Sequence, residues 1–480
     1  MPCPNLNRAP FACVLTVLGW CAILAGVAGE LQAADPIPLA DQLQLFLDDR
    51  LIDSQRGVRS VLHSPRPAEI AIQRDKPWED STMYDPVVIQ DGDRYRMWYR
   101  ANFNKPPFYT GYAESKDGIN WTKPSLGLFE YAGSKDNNIV WVGNHTVAGG
   151  QPVVWCVFKD ANPVAPPDER YKATAAAVGL KGLHGLVSPD GIHWKLLQPE
   201  QVVPGVGPFD THSISMWDTV RKKYVVYTRE FVNGVRHIRR AETDDFHKFP
   251  VPTLIKFLDH PPRPLEHLYK NAATPYYRRP DLMLMFPKRF LPDRTPDPKW
   301  PAPGLSDIVF MFSYDGVNFD RRFREAFLRP GFDPKNWHDR AIEVGPGLWP
   351  TGPGEMSLYY MEHYRSNDVR VRRGVLRIDG LASLQANADG GEIVTKPFTF
   401  TGDRLLMNYS TSAAGTMRVE LQSAEGQPLA DCPEIYGDEI DHPIAWKGCT
   451  DLATLAGRPV RLKITLQDAD LYSLRFAGKE

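Results

Sequence analysis

The sequence predicts an all-β protein, a five-bladed β-propeller followed by a C-terminal β-sandwich. Three observations carry this expectation. A seven-residue phrase recurs, as "SKDGINW" at 115–121, "SPDGIHW" at 188–194 and "SYDGVNF" at 313–319. Aromatic and β-branched runs of strand length fill the intervals, among them "RYRMWYRA", "KYVVYTREF", "LMLMFPKRF", "DIVFMFS" and "MSLYYMEHY". Beyond the N-terminal apolar run no segment sustains a 3.6-residue apolar period, and 43 prolines leave little room for long helices.

Degenerate copies extend the recurring phrase, "TDDFHKF" from Thr243 and "RIDGLASL" from Arg377, so that successive starts lie 73, 55, 70 and 64 residues apart. A loose period of this kind marks units that each need a neighbour to bury a face. Five such units, arranged radially, leave few sheet edges open to pairing with other chains. Within each phrase Ser and Asp can hydrogen-bond the turn backbone, Gly supplies positive φ, and the aromatic packs beneath. Asp117, Asp190 and Asp315 therefore read as turn residues that divide the chain, and Asp91 and Asp93 belong to a turn as well.

The phrase stops before Phe398. Beyond it "FTFTGDRLLMNYS", "GTMRVELQS", "RPVRLKITLQD" and "LYSLRF" alternate as strands, which assigns 35–397 to the propeller and 398–480 to the sandwich. At the other end Arg8, an apolar run from Phe11 to Val27 and small residues up to Ala34 read as a signal peptide over 1–34, placing the mature chain in a secreted or periplasmic setting. No later segment is apolar enough to span a bilayer. A net charge of -2 gives no electrostatic case for nucleic acid. Cys432 and Cys449 are a candidate disulfide, and Cys156, inside "PVVWCVF", reads as a buried inert thiol.

Propeller ligands sit over the central axis, so polar residues near the start of each unit are the candidates. These are Asp85 in "YDPVVIQ", Asp160 after "PVVWCVFK", Asp210 and His212 in "FDTHSISMWD", Glu266, Tyr269, Arg278 and Arg289 in the fourth unit, and Glu355 in "TGPGEMSLYY". Several carboxylates around one funnel are what glycosidic bond hydrolysis requires, one to protonate the leaving oxygen and one to attack the sugar or activate water. Asp85, Asp210 and Glu355 are the catalytic candidates. Asp160, His212, Tyr269, Arg278, Arg289 and Trp349 are the substrate-binding ones, with aromatics stacking on sugar faces and arginines able to hold a sulfate or uronate. No cofactor is expected, and no ligand set for a metal stands out, although a structural calcium on the axis is compatible with the residues present.

With "YDP" opening the first unit and "S-x-D-G-x-x-W" turns repeating, the chain resembles the furanosidase-type glycoside hydrolases of families 32, 43, 62 and 68. It looks closest to the family 32-like secreted proteins of planctomycete-type bacteria. The resemblance implies Asp85 as nucleophile or base and Asp160 as the residue that fixes the sugar and tunes the acid. At the third position, where the family carries an acidic Glu, this chain has Asp210 in "FDTHS"; Glu355 is the reserve for that role. The Asn-Asp-Pro-Asn-Gly and Arg-Asp-Pro signatures are absent. The rival expectation is a non-catalytic carbohydrate-binding propeller.

Overall fold

The computed structural model describes residues 35–143, 154–176, 182–205, 209, 211–449 and 451–478. The expected signal peptide, 1–34, and Asp210 lie outside them. Among the described residues there is no α-helix: strands are joined by turns and four short 3-10 segments. No helix there is long and apolar enough to cross a membrane.

Consecutive stretches of chain build successive small antiparallel sheets. The first runs through Tyr84–Asp91, Arg94–Arg100, Phe108–Ser115 and Ile139–Gly143. Val154–Lys159, Tyr171–Ala176, His184–Ser188 and Lys195–Leu196 make the second. The third holds Ile214–Asp218, Lys223–Val232, Val235–Thr243 and Thr253–Leu254. In the fourth region Thr274–Tyr276, Arg279–Met285 and Met311–Ser313 form one sheet, and His267–Tyr269, Lys288–Leu291 and Leu305–Ile308 form another beside it. The fifth sheet pairs Glu343–Val344 and Trp349–Gly352 with Glu355–Glu362, then Arg370–Arg377, and takes its outer strand, Arg66–Gln73, from the N-terminal part of the chain.

Apolar side chains fill the space between neighbouring sheets. Val87 and Trp98 meet Val157 and Ala173, Phe158 meets Val226 and Phe246, and Leu284 and Phe312 meet Val344 and Leu358. The fifth sheet returns to the first, where Tyr359 and Met361 share a core with Val88 and Tyr99. Burying a side chain of this size is worth about 1.5–3 kcal/mol, so each sheet depends on its neighbours.

Every copy of the recurring phrase follows the third strand of a sheet. In the three full copies Asp117, Asp190 and Asp315 each accept two backbone N–H bonds at 2.7–2.9 Å, and Ser115, Ser188 and Ser313 each accept the glycine N–H at 2.9 Å. Those bonds hold the three aspartates ionised, with Asp190 and Asp315 pulled down to about 2 against the upward push of partial burial. The phrase also does something the sequence did not announce. Each glycine carbonyl accepts a hydrogen bond from an aromatic on the second strand of the preceding sheet: Gly118 from the Tyr359 hydroxyl at 2.5 Å, Gly191 from Trp98 Nε1 at 2.9 Å, and Gly316 from the Tyr227 hydroxyl at 2.8 Å. Glycine is required twice over, since φ is +72°, +76° and +73° and a Cβ would stand within 2.9 Å of that same aromatic. The turns are staples between sheets.

A further, eleven-stranded sheet is built on two long strands, Arg404–Ser423 and Val460–Ala477, paired along most of their length. It contains more than the expected 398–480. Ile37–Ala40 pairs in parallel with Phe398–Phe400, while Ile52–Arg56 pairs antiparallel with Gly391–Thr395 and Val58–Leu62 antiparallel with Ala382–Ala386. Leu39, Ile52, Leu384 and Ile393 enter one core with Leu405 and Ile464, so the sheet boundary does not fall at 397. Cys432 is a free buried thiol in this core, against the expected pairing with Cys449; its Sγ accepts the Val419 N–H at 3.1 Å. Cys156 is free and buried as well, and burial pushes its thiol up to about 12.

Candidate active site

The starts of the first strands of four units meet at one end of the sheet assembly. Asp85 is the second residue of Tyr84–Asp91, His212 stands just before Ile214–Asp218, Lys270 before Thr274–Tyr276, and Glu343 opens Glu343–Val344. A β-bulge aims Asp85. Tyr84 pairs with Arg100 and Val87 with Trp98, leaving one extra residue on the first strand, and Asp85 takes φ +55°. Asp tolerates this left-handed conformation better than most residues, and positions of this kind cluster at functional sites.

The cluster is an alternation of charges closed off from water. Lys270 Nζ lies 2.5 Å from Asp85 Oδ1 and 2.7 Å from Glu343 Oε2, bridging two carboxylates that are 2% and 1% exposed. Lys288, also buried, donates to Glu343 Oε2 at 3.0 Å and to the Tyr84 hydroxyl. Arg100 Nη1 stands 3.3 Å from Asp85 Oδ2, and His212 Nδ1 stands 4.0 Å from Asp85 Oδ1. The Tyr84 ring floors the site, with Lys270 Nζ 3.6 Å from its centroid.

This arrangement sets the protonation states. Burial alone would raise the Asp85 carboxyl, but Lys270, Arg100 and His212 outweigh it and hold it well below the usual carboxylate range. Burial pushes the Lys288 ammonium down to about 7, with Lys270 and Arg340 adding to the push and Glu343 opposing it. Burial also raises the Tyr84 hydroxyl well above its ordinary value and the Tyr269 hydroxyl to about 12, so both stay protonated.

Two donor groups have the spacing of a cation site. Asp85, His212 and Glu343 offer ligand atoms within 4.8 Å of one another, but the Lys270 ammonium already stands between the carboxylates. In the second, His363 lies between Asp333 at 2.7 Å and Asp368 at 3.0 Å, while Arg370 and Arg372 neutralise Glu362. Protein cations satisfy both sets.

The expected site residues divide. Asp85, His212 and Tyr269 reach the cluster; Tyr269 lies opposite Lys288 in the ladder. Glu355 does not. Glu343 pairs with Met361, and Glu355 lies six residues earlier on that strand, about 20 Å away at 3.3 Å per residue. There it is half-buried and bonded to Arg373 at 2.8 Å. Asp160 is also at the far end, 2.9 Å from Lys172 and 2.7 Å from the Tyr224 hydroxyl, beside the Lys159–Asp91 pair that closes the other end of the first strands. Arg278 is taken up by Asp379 and Asp441, Arg289 by Asp307, and Trp349 donates to the Val88 carbonyl. Glu343, Lys270, Lys288 and Arg100 complete the cluster without having been singled out for it. The available signal for Glu343 was a lone carboxylate in the apolar stretch "AIEVG", just before Gly345.

No family model matches the chain. Over 123 residues it is 32% identical to the uncharacterised protein MT1551 and 31% identical to the uncharacterised protein Rv1502, from two strains of Mycobacterium tuberculosis. The match takes in 24% of this chain and 34% of theirs, so the chain spans about a third of the length of the curated relatives it matches. Among solved structures the chain is similar to an N-acetylgalactosamine deacetylase from F. plautii, with TM-score 0.46 and 14% identity over 66% of this chain and 96% of that one. A family 43 arabinoxylan arabinofuranohydrolase from Bacillus subtilis gives 0.41 and 12% over 84% and 97%. A family 32 β-fructofuranosidase from Bombyx mori gives 0.41 and 9% over 88% and 95%. Values this low transfer neither an activity nor residue roles.

Proposed function

We propose that the protein is an exported glycoside hydrolase on a five-bladed propeller, with the C-terminal sheet as its β-sandwich and the Asp85–Glu343 pair as its catalytic centre. One observation carries the reading: two buried carboxylates from neighbouring sheets, bridged by Lys270, at the end of the assembly where the first strands begin. Their nearest oxygens lie within 4.8 Å, close to the roughly 5–5.5 Å separation of retaining enzymes and short of the roughly 6.5–9.5 Å of inverting ones.

Asp85, held ionised by Lys270, Arg100 and His212, is the nucleophile at the anomeric carbon. Glu343 takes the proton-donor role that the sequence offered to Asp210 with Glu355 in reserve, and Asp210 remains the alternative. Lys288, which donates to Glu343 Oε2, is the source of the proton that Glu343 passes to the leaving oxygen. In the second half-reaction water attacks the anomeric carbon as the bond to Asp85 breaks, and Glu343 takes the water proton and returns it to Lys288. The neutralisation of both carboxylates by protein cations favours the second reading, a non-catalytic carbohydrate-binding propeller.

Reducing-end release from a panel of plant and algal glycans tests the choice. The wild-type protein is expected to release product, Glu343→Gln to lose about 100-fold or more, and Glu355→Gln to keep its rate. Glycan retention in affinity electrophoresis with no release by the wild-type protein replaces the hydrolase reading with the binding one.

A further inference from the structure

A cavity of about 770 Å³ opens beside the fourth and fifth units, away from the Asp85–Glu343 pair. The sheet that holds Lys288 separates the two. Lys288 reaches Glu343 from one face, and Arg289, the next residue along the strand, lines the cavity from the other. Six arginines border it: Arg263, Arg289, Arg294, Arg321, Arg324 and Arg329. Only four carboxylates stand against them, Glu266, Asp293, Asp307 and Glu325, so this region is locally basic in a chain whose net charge is -2.

The arginines are not equivalent. Arg289 is fixed on Asp307 through two N–H bonds, and Arg321 is held by Glu266 at 2.9 Å. These two pairs frame the cavity wall. Arg263, Arg294, Arg324 and Arg329 are exposed, and among the described residues none of them forms an ion pair. Two aromatics stand at the same opening, Phe332 fully exposed and Trp337 41% exposed, which is unusual for rings of this size in a chain that buries most of its large aromatics. Unpaired guanidinium groups bind carboxylate and sulfate bidentately, and an exposed ring offers a face for a sugar.

We propose that this cavity is a separate binding site for an anionic oligosaccharide, one bearing uronate carboxylates or sulfate esters, held by Arg263, Arg294, Arg324 and Arg329 and stacked on Phe332 and Trp337. The proposal rests on the carbohydrate reading only in taking a sugar as the carrier of the negative charge. It assigns the cavity no reacting group. It explains why Arg324 and Arg329 of the "RRFREAFLRPGF" stretch stand without carboxylate partners while Arg321 and Arg322 beside them are paired.

The test is equilibrium binding to the full-length protein of three hexasaccharides, an oligogalacturonate, a sulfated carrageenan fragment and neutral cellohexaose, with inorganic sulfate as a fourth probe. One or both acidic oligosaccharides should bind, with affinity falling as salt rises and at least 10-fold weaker for Arg324→Ala/Arg329→Ala. Phe332→Ala should weaken the same ligands, and neutral cellohexaose should bind no better than buffer controls. Both arginines are exposed, so the double variant should keep the wild-type melting temperature, and any hydrolysis of neutral glycans should be unchanged by it. Equal binding of the neutral hexasaccharide, no loss in the double variant, or inorganic sulfate binding as tightly as the sulfated oligosaccharide would each overturn the proposal. Binding that follows the arginines in a protein that hydrolyses nothing leaves this site standing and removes the hydrolase reading alone.

Discussion

Replacing Glu343 by Gln tests the charge alternation at the candidate centre. The substitution keeps the side-chain shape but leaves Lys288 facing only the Tyr84 hydroxyl, while Lys270 keeps Asp85. Removing one partner from a buried ion pair costs about 3–5 kcal/mol, because the remaining charge is stranded away from water. Lys288→Met in the Gln background removes the stranded ammonium and should return about 1–3 kcal/mol of the loss, a coupling of the size expected for groups in contact. Urea unfolding followed by tryptophan fluorescence reads all four corners of the cycle. The pH dependence has a definite sign. The Lys288 ammonium is pushed down to about 7 from 10.5, so between those values the unfolded chain binds the proton that the folded chain has released. Its burial cost is therefore full below pH 7 and fades as the pH rises towards 10.5, and in the Gln background Lys288→Met should return most stability at pH 6 and least near pH 10. A Glu343→Gln cost under about 1 kcal/mol together with additive single substitutions would refute the pairing on which the site rests.

Four further outcomes follow from the same geometry. Glu355→Gln should leave turnover within about twofold of wild type, because Glu355 sits with Arg373 at the opposite end of its strand. Trp98→Phe and Tyr227→Phe should each cost about 1 kcal/mol in urea unfolding through loss of the bond to a turn carbonyl. Gly191→Ala should cost more than either, since a Cβ there meets Trp98 at 2.9 Å and strains φ +76°. Cys156 and Cys432, both buried, should stay unreactive to a thiol reagent until the protein is unfolded.

The fold was legible where a local rule needed particular residues. The recurring Asp-Gly phrase is a turn that only glycine can complete, and its copies do mark the end of each third strand. Alternating apolar runs showed the strands, but not which of them would pair. That the N-terminal strands join the C-terminal sheet was not legible, because their partners lie more than 300 residues away, as in the Ile37–Phe398 pairing. The site was half legible for the same reason. Asp85 stood out beside Pro86 at the mouth of a strand, and His212 at another. Glu355 looked equivalent, yet its register put it at the wrong end, while Glu343 was hidden in a two-residue strand. Lys270 and Lys288 carry no local signal that separates an internal counterion from a surface lysine, and they became the internal counterions once the chain had folded.

The central claim, that Asp85 does chemistry on a glycosidic bond, is tested most directly by the rate of reducing-end release by Asp85→Asn relative to wild type, on any glycan the wild-type protein cleaves and with matched melting temperatures. A loss of about 100-fold or more is expected. An unchanged rate in Asp85→Asn would contradict it.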